Sequence, residues 1–306
     1  MRTYRAAGLL LSSEIELPGL IPAGAQGLPV DVTVRLGPVP ASLDGDQPVG
    51  PTCRIAGDRF LLRVPGVARF LITAGRDIQI EPEGDTPSHE IAIFVTGTVI
   101  GILLHMRGQI VLHASAVLIG DRAVLFCGAS GAGKSTLAAA INKRGYPIIS
   151  DDVCAIGFAE GGRPHVLPDG RNHKLWADAV EHLGMQPGDP VRAQLKKYYV
   201  EASSTINETV AVGAIYELFE TRPPRETGIG TPDVANTALM IRRNAYRPFL
   251  VRRMKQQAHY FEAASRLASA VGIYSLTRPL DFKQLDTVIN GLEQHWAKCG
   301  LIPEAV

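Results

Sequence analysis

The chain has 306 residues, 46% hydrophobic and 20% charged, with a formal net charge of +1. That balance excludes a disordered chain, which needs low hydrophobicity and high net charge, and the length calls for one large domain or two ordinary ones. Near-neutral charge gives no global attraction to nucleic acid or to an anionic membrane, so neither is expected as a partner.

The four cysteines, Cys53, Cys127, Cys154 and Cys299, stand far apart with no CxxC pair. A zinc site or disulfide framework is therefore not expected, and a reducing, cytoplasmic setting fits.

The first ninety residues read as β-rich. The apolar run from Ala6 to Leu11 is too short for a secretory core and is followed at once by Glu14 and Glu16. Residues 38–51 hold four prolines and little periodicity, which predicts a loop. Phe60 to Val64 and Arg69 to Thr73 flank Pro65-Gly66-Val67 and read as a hairpin, with Asp77 to Glu81 alternating as a third strand. The polar stretch Pro82 to Ser88 marks the expected boundary between a β-rich N-terminal domain, 1–87, and a second domain, 88–306. Just beyond it, Ile91 to Met106 carries no formal charge; its sixteen residues fall short of the roughly 20 that a membrane span needs, so a buried helix is expected.

From there the pattern becomes α/β. A β-rich run, Gln109 to Ile119, is followed by a turn at Gly120-Asp121-Arg122 and a strand from Ala123 to Cys127. A glycine loop, a helix from Lys134 to about Arg144 and a strand around Pro147 to Ser150 come next. The C-terminal part reads as helical. Phe261, Ala264, Leu267, Ala268 and Val271 share one helix face. Phe282, Leu285, Ile289, Leu292 and Trp296 share another, opened by Asp281 as N-cap, and Gly272 to Thr277 lies between them as a final strand.

Gly128-Ala129-Ser130-Gly131-Ala132-Gly133-Lys134-Ser135 satisfies G-x-x-x-x-G-K-[ST], with an apolar strand before it and a helix after it. In such a loop the backbone N–H groups, continued by Thr136 on the helix, surround phosphate oxygens. The lysine reaches the β- and γ-phosphates, and the Ser135 hydroxyl is offered to Mg²⁺. The chain has no N-K-x-D string, since Arg144-Gly145 follows Asn142-Lys143, and no L-S-G-G-Q string. Both absences weigh against a GTPase switch and a transport motor.

Two carboxylates, Asp151 and Asp152, close the apolar strand Ile148-Ile149-Ser150. In an open α/β sheet the carboxyl ends of the strands line the ligand crevice, which brings the pair toward the γ-phosphate. One can serve Mg²⁺ and the other can accept the proton of an attacking hydroxyl; a turn or helix cap is the plainer alternative. His113, on a strand upstream of the loop, can orient phosphate or substrate, although a lone strand histidine is more often structural.

Further basic features stand out. Between Val234 and Phe261 there is no acidic residue and six basic ones: Arg242, Arg243, Arg247, Arg252, Arg253 and Lys255. They make either an anion-binding patch or a solvated helix face, broken in two at Pro248. Lys196-Lys197-Tyr198-Tyr199 is a weaker case. Arg171, His173 and Lys174 follow a turn signal and read as surface.

His113, then GASGAGKS, a helix, and Gly145 to Asp152 together resemble the catalytic domain of the HPr kinase/phosphorylase family. The resemblance covers about His113 to Ile156 and, more weakly, the helical tail to Trp296. It implies an α/β P-loop kinase domain of the HPr kinase/PEP carboxykinase type and an ATP- and Mg²⁺-dependent enzyme that phosphorylates a serine hydroxyl of a peptide or protein. It also implies roles for the site: Asp151 as general base, Asp152 with Ser135 toward the metal, and His113 and Lys134 as catalytic partners. Several members of the family run the reverse dephosphorylation.

The chain departs from true HPr kinases in three respects. No E-[IV]-R-G-x-G-type signature follows the Asp pair, Ser135-Thr136 stands where they have Ser-Glu, and the N-terminal region is unlike their regulatory domain. The opening Tyr4-Arg5-Ala6-Ala7-Gly8-Leu9, with Ser13 to Pro18 and Lys174-Leu175-Trp176, is closer to the HPr-kinase-like enzymes of lasso-peptide gene clusters. Those enzymes phosphorylate the precursor peptide's C-terminal serine. A true HPr kinase, a small-molecule kinase and a non-catalytic nucleotide sensor stay open beside that reading, as does a homo-oligomer.

Overall fold

A computed structural model describes residues 1–24, 29–169, 173–192 and 195–304. Two large sheets organise them. The first has nine strands in the order Ile21–Pro22, Arg2–Ala6, Leu9–Ser13, Val32–Leu36, Asp77–Pro82, Ala68–Thr73, Arg59–Val64, Cys53–Ala56 and Gln47–Gly50. The expected hairpin closes around Gly66, with Arg63 opposite Arg69 and Val64 opposite Ala68. The proline-rich stretch expected as a loop ends in the short strand Gln47–Gly50. Pro48 is tolerated there because the strand lies at the sheet edge, where a missing N–H breaks no inner ladder.

The uncharged segment forms one helix, Ser88–Met106, interrupted by a π turn at Val95–Val99. It is long and apolar enough to cross a membrane, but 72% of its apolar window is buried inside the fold. Ile91, Val95, Val99 and Ile102 share one core with Phe60, Phe70, Ile78 and Ile80 of the first sheet. Full burial of each such side chain contributes about 1.5–3 kcal/mol. The helix also reaches the second sheet's layer. Gly101 lies against the Tyr246 ring so closely that a Cβ there would fall 2.4 Å from a ring carbon, so only glycine fits.

His105, on the same helix, is fully buried. Its Nε2 sits 2.8 Å from the Tyr246 carbonyl oxygen, which can only accept, so Nε2 carries the proton. Burial pushes the His105 pKa below its ordinary value. The unfolded chain therefore takes up the proton first, and stability drops as pH falls below about 6.5. His173, also buried and shifted the same way, adds to the effect. The thermal midpoint is expected to decline between about pH 7.5 and 5.5, and His105→Gln, which keeps a donor near Nε2, should shallow that slope. An unchanged slope in the variant would remove His105 from the account.

The second sheet runs Ile110–Leu112, Cys154–Phe158, Pro164–Leu167, Val210–Glu220, Arg122–Cys127, Ala114–Ile119 and Ile148–Asp151, with Gly272–Arg278 also paired to Val210–Glu220. Alternate residues of its strands point to opposite faces. Ala123, Leu125 and Cys127 pack with Met240, Tyr260 and Leu267 from the helices Val234–Arg243 and Gln257–Ala270. Val124 and Phe126 pack with Leu137, Leu292 and Trp296 from the helices Lys134–Lys143 and Leu285–Lys298.

The face expected on the Gln257–Ala270 helix holds at Ala264 and Leu267 but not at Phe261 and Ala268, which are exposed. Phe261 is 68% exposed, while Tyr260, Ala263, Ala264 and Leu267 are buried. The Tyr260 hydroxyl fixes that rotation by accepting from the Val111 N–H at 3.0 Å. A third, three-stranded sheet joins His173–Trp176, Leu195–Val200 and Pro190–Arg192.

A candidate phosphoryl-transfer site

The strand Arg122–Cys127 runs parallel to Val210–Glu220, which runs parallel to Gly272–Arg278. Their carboxyl ends share one edge, and the glycine loop leaves from it. Gly131 (φ 84°) and Gly133 (φ 78°) take left-handed backbone, which a side chain would strain. Gly133 then caps the helix Lys134–Lys143, whose first N–H groups open toward the loop.

Lys134 is only 6% exposed. Its ammonium folds back over the loop and donates to the carbonyl oxygens of Gly128 (2.8 Å) and Ala129 (3.1 Å). Burial pushes its pKa down, opposed by Cys127 and the two aspartates. A phosphate anion would restore what burial removes.

The two aspartates part company. Asp151 ends the strand Ile148–Asp151, is 1% exposed and lines neither cleft at the loop. Its Oδ1 accepts from the hydroxyls of Ser115 (2.6 Å) and Ser135 (3.0 Å), and its Oδ2 from the Lys174 N–H (3.2 Å). Asp152 turns the other way. Its backbone adopts φ 80°, uncommon for a residue with a Cβ but best tolerated by Asp and Asn. That turn carries its carboxylate out of the sheet and into the cleft.

Asp152 Oδ1 lies 3.2 Å from His113 Nδ1, and Oδ2 lies 3.4 Å from Lys174 Nζ. Asp151 thus meets the phosphate loop at Ser135 from behind, while Asp152, just past the strand's end, lines the cleft itself.

His113 occupies the break between Ile110–Leu112 and Ala114–Ile119, which the sequence reading had joined in one run. Its N–H donates to the Asn244 carbonyl at 2.8 Å, and its ring stands edge-on to Tyr246 at 6.1 Å. Nδ1 is 3.0 Å from the Asp152 carbonyl oxygen. That acceptor places a proton on Nδ1.

Two clefts meet at this point. One, of about 430 Å³, lies over the start of the Lys134 helix. From the loop side it is lined by Ser130, Gly131, Gly133, Lys134, Ser135 and Thr136, and from the other side by Asp152, Lys174, Lys197 and Arg278. The second lies across the loop, against Gly128 and Ala129, with Glu217, Asn244, Tyr246 and Arg247 on its far wall. His113 and Ser130 line both. Ala132 lines neither; its carbonyl faces the Arg278 guanidinium.

Of the six basic residues read as either a patch or a solvated face, only Arg243 and Arg247 reach the second cleft. Arg243 is tied to Glu217, with Nε donating to Oε1 at 2.6 Å, and Arg247 donates to the Thr98 hydroxyl at 2.7 Å. Arg242, Arg252, Arg253 and Lys255 are exposed and line neither cleft.

Sequence reasoning left Lys174 out of the site and passed over Arg278. Arg278 ends the last parallel strand, at the sheet edge where ligands gather, and that position was the available signal. Arg171 lies outside the described residues.

The donor set fits Mg²⁺. Ser135 gives its proton to Asp151, which frees its oxygen lone pairs toward the cleft, and Asp152 adds a carboxylate. No cluster of three or more His, Cys, Asp or Glu among the described residues could hold a metal. Such a site would instead take Mg²⁺ together with phosphate oxygens and water, as this ion usually binds.

No family model matches this chain, and no curated protein matches it. Among solved structures, the Hpr(Ser) kinase/phosphatase from Coxiella burnetii aligns with 62% of this chain and 98% of its own, at 14% identity and a TM-score of 0.33.

Proposed function

We propose that this protein is an ATP- and Mg²⁺-dependent kinase that phosphorylates a serine hydroxyl of a peptide or protein. The observation that carries this reading is the meeting of two clefts at His113, with the phosphate loop between them and the Asp152 carboxylate at the junction. The cleft over the Lys134 helix takes the nucleotide, and the cleft across the loop takes the acceptor. A sensor needs only the first.

In this reading the roles of the two aspartates exchange relative to the expectation from resemblance. Asp152 receives the acceptor's proton, His113 holds the Asp152 carboxylate in place, and Asp151 fixes the Ser135 hydroxyl. The acceptor oxygen forms a bond to the γ-phosphorus as the bond to the β,γ-bridging oxygen breaks. The proton goes to Asp152, and ADP leaves. Ser135 and Asp152 would hold Mg²⁺, which would supply positive charge against the phosphate oxygens. Lys134 and Lys174 hold the same oxygens from the protein side, and positioning accounts for most of the rate.

Among serine acceptors, the resemblance favours the C-terminal serine of a lasso-peptide precursor. Incubation with γ-labelled ATP and peptides ending in serine, as free acid and as amide, tests this by mass spectrometry. Phosphopeptide from the acid with a lower kcat/KM for the amide is expected. Equal rates would favour an internal serine, as in HPr. Label in no peptide, with ATP bound, would move the reading to a small-molecule kinase or a sensor.

A further inference from the structure

Arg278 is 4% exposed and has no carboxylate within salt-bridge distance among the described residues. Its Nη2 donates to the carbonyl oxygens of Ala132 (2.9 Å) and Gly133 (3.3 Å), and its Nη1 to that of Pro279 (3.3 Å). Its Nε is buried with no hydrogen-bond partner. The side chain lines the same cleft as Lys134, Ser135 and Thr136. A buried guanidinium surrounded only by carbonyl dipoles is short of negative charge, and desolvation lowers its pKa to about 10.

The loop is shaped around this group. A Cβ at Gly133 would stand 2.5 Å from Nη2, so the third glycine of the motif leaves the space the guanidinium fills. The contact also has a geometric consequence. A peptide unit is planar and trans, so its C=O and N–H point in opposite directions. Pinning the Ala132 and Gly133 carbonyls toward Arg278 turns the Gly133 and Lys134 N–H groups away from it.

We infer that Arg278 is a positioning residue of the phosphate site: it locks two peptide units of the loop with their N–H groups turned toward the nucleotide and supplies a buried positive charge that the polyphosphate completes. The inference rests on the nucleotide-binding part of the proposed function. Its ligand chemistry is the di- or triphosphate chain, independent of the base and of the acceptor.

Calorimetric titration of the full chain with Mg-ATP, Mg-ADP and AMP tests it, comparing wild type, Arg278→Gln, Arg278→Lys and Lys134→Met. For Arg278→Gln, affinity should fall at least about tenfold for ATP, less for ADP and least for AMP, because the lost charge interacts with each added phosphate. Arg278→Lys keeps the charge without the fork and should lie between wild type and Arg278→Gln. A merely structural arginine would lower the thermal midpoint and weaken all three nucleotides alike; that outcome, or wild-type ATP affinity in both arginine variants, overturns the inference. If Arg278→Gln does not fold, the lysine variant decides alone: an equal loss across the three nucleotides, or none, overturns it. Loss of ATP binding in Lys134→Met with none in the arginine variants would remove Arg278 and leave the nucleotide reading standing. No binding by the wild-type protein would remove both.

Discussion

Lys134→Met is expected to abolish phosphoryl transfer, with a loss of roughly 10²–10³ or more, the magnitude typical of removing one preorganised donor from a transition-state charge. Methionine is close to lysine in length and fills the same space, so the change removes the charge with little change of packing. The ammonium now donates to the Gly128 and Ala129 carbonyls, and those bonds are lost too. Against that loss, the variant no longer buries a cation whose pKa desolvation already lowers. The two effects oppose, and the thermal midpoint should move little. Weak or absent ATP binding by calorimetry at an unchanged midpoint is the expected pair of results. A fully active variant would sink the phosphate-loop reading.

The loop was legible because its chemistry is local. Three glycines, a lysine and a serine at fixed spacing, between a strand and a helix, require nothing distant to be recognised. The helix Leu285–Lys298 was legible for the same reason: Leu285, Ile289, Leu292 and Trp296 make one apolar face, although the expected cap, Asp281, closes the 3-10 turn Phe282–Gln284 that leads into it. The His113 junction was not. His113 depends on Asn244 and Tyr246, more than a hundred residues away in sequence, to end one strand and begin another. No local pattern marks that break. Phe261 misses the buried face of the Gln257–Ala270 helix for a related reason. An apolar count cannot distinguish Phe261 from Tyr260, and the bond between the Tyr260 hydroxyl and Val111 decides it. Arg278 is a single cation in an unremarkable string, and Lys174 reads as surface beside its turn; only strand order brings them to the loop.

The aspartate pair shows the same limit at shorter range. Two adjacent carboxylates at a strand end predict a site, yet the strand stops at Asp151 and the two side chains go to different places, and the sequence does not say which goes where. The φ of 80° at Asp152 settles it by turning that residue into the cleft. Asp151 remains behind as an acceptor for three donors.

The variants of that pair should therefore fail in different ways. Asp152→Asn keeps the size of the side chain and one acceptor oxygen, but an amide cannot take a proton at neutral pH. General-base catalysis contributes typically 10²–10⁴-fold, though a loose phosphoryl-transfer transition state asks less of a base. At saturating Mg²⁺ a fall of about 10² in kcat is expected, and because the same carboxylate would help to hold Mg²⁺, the half-maximal Mg²⁺ concentration rises as well. Asp151→Asn sets a different problem. Its amide oxygen can still accept from Ser115 and Ser135, but its NH₂ then meets the Lys174 N–H, donor against donor, in a buried place. An unsatisfied buried donor costs about 1–3 kcal/mol. Asp151→Asn should thus lower the thermal midpoint and raise the Mg²⁺ concentration needed for half-maximal rate, because Ser135 is no longer held by a charged partner. Denaturation curves and rates at saturating Mg²⁺, compared for the two variants side by side, separate the roles. If Asp151→Asn is as stable as wild type yet inactive, while Asp152→Asn transfers phosphate at the wild-type rate, then the buried carboxylate is the base and the exchange of roles inferred from the geometry is wrong.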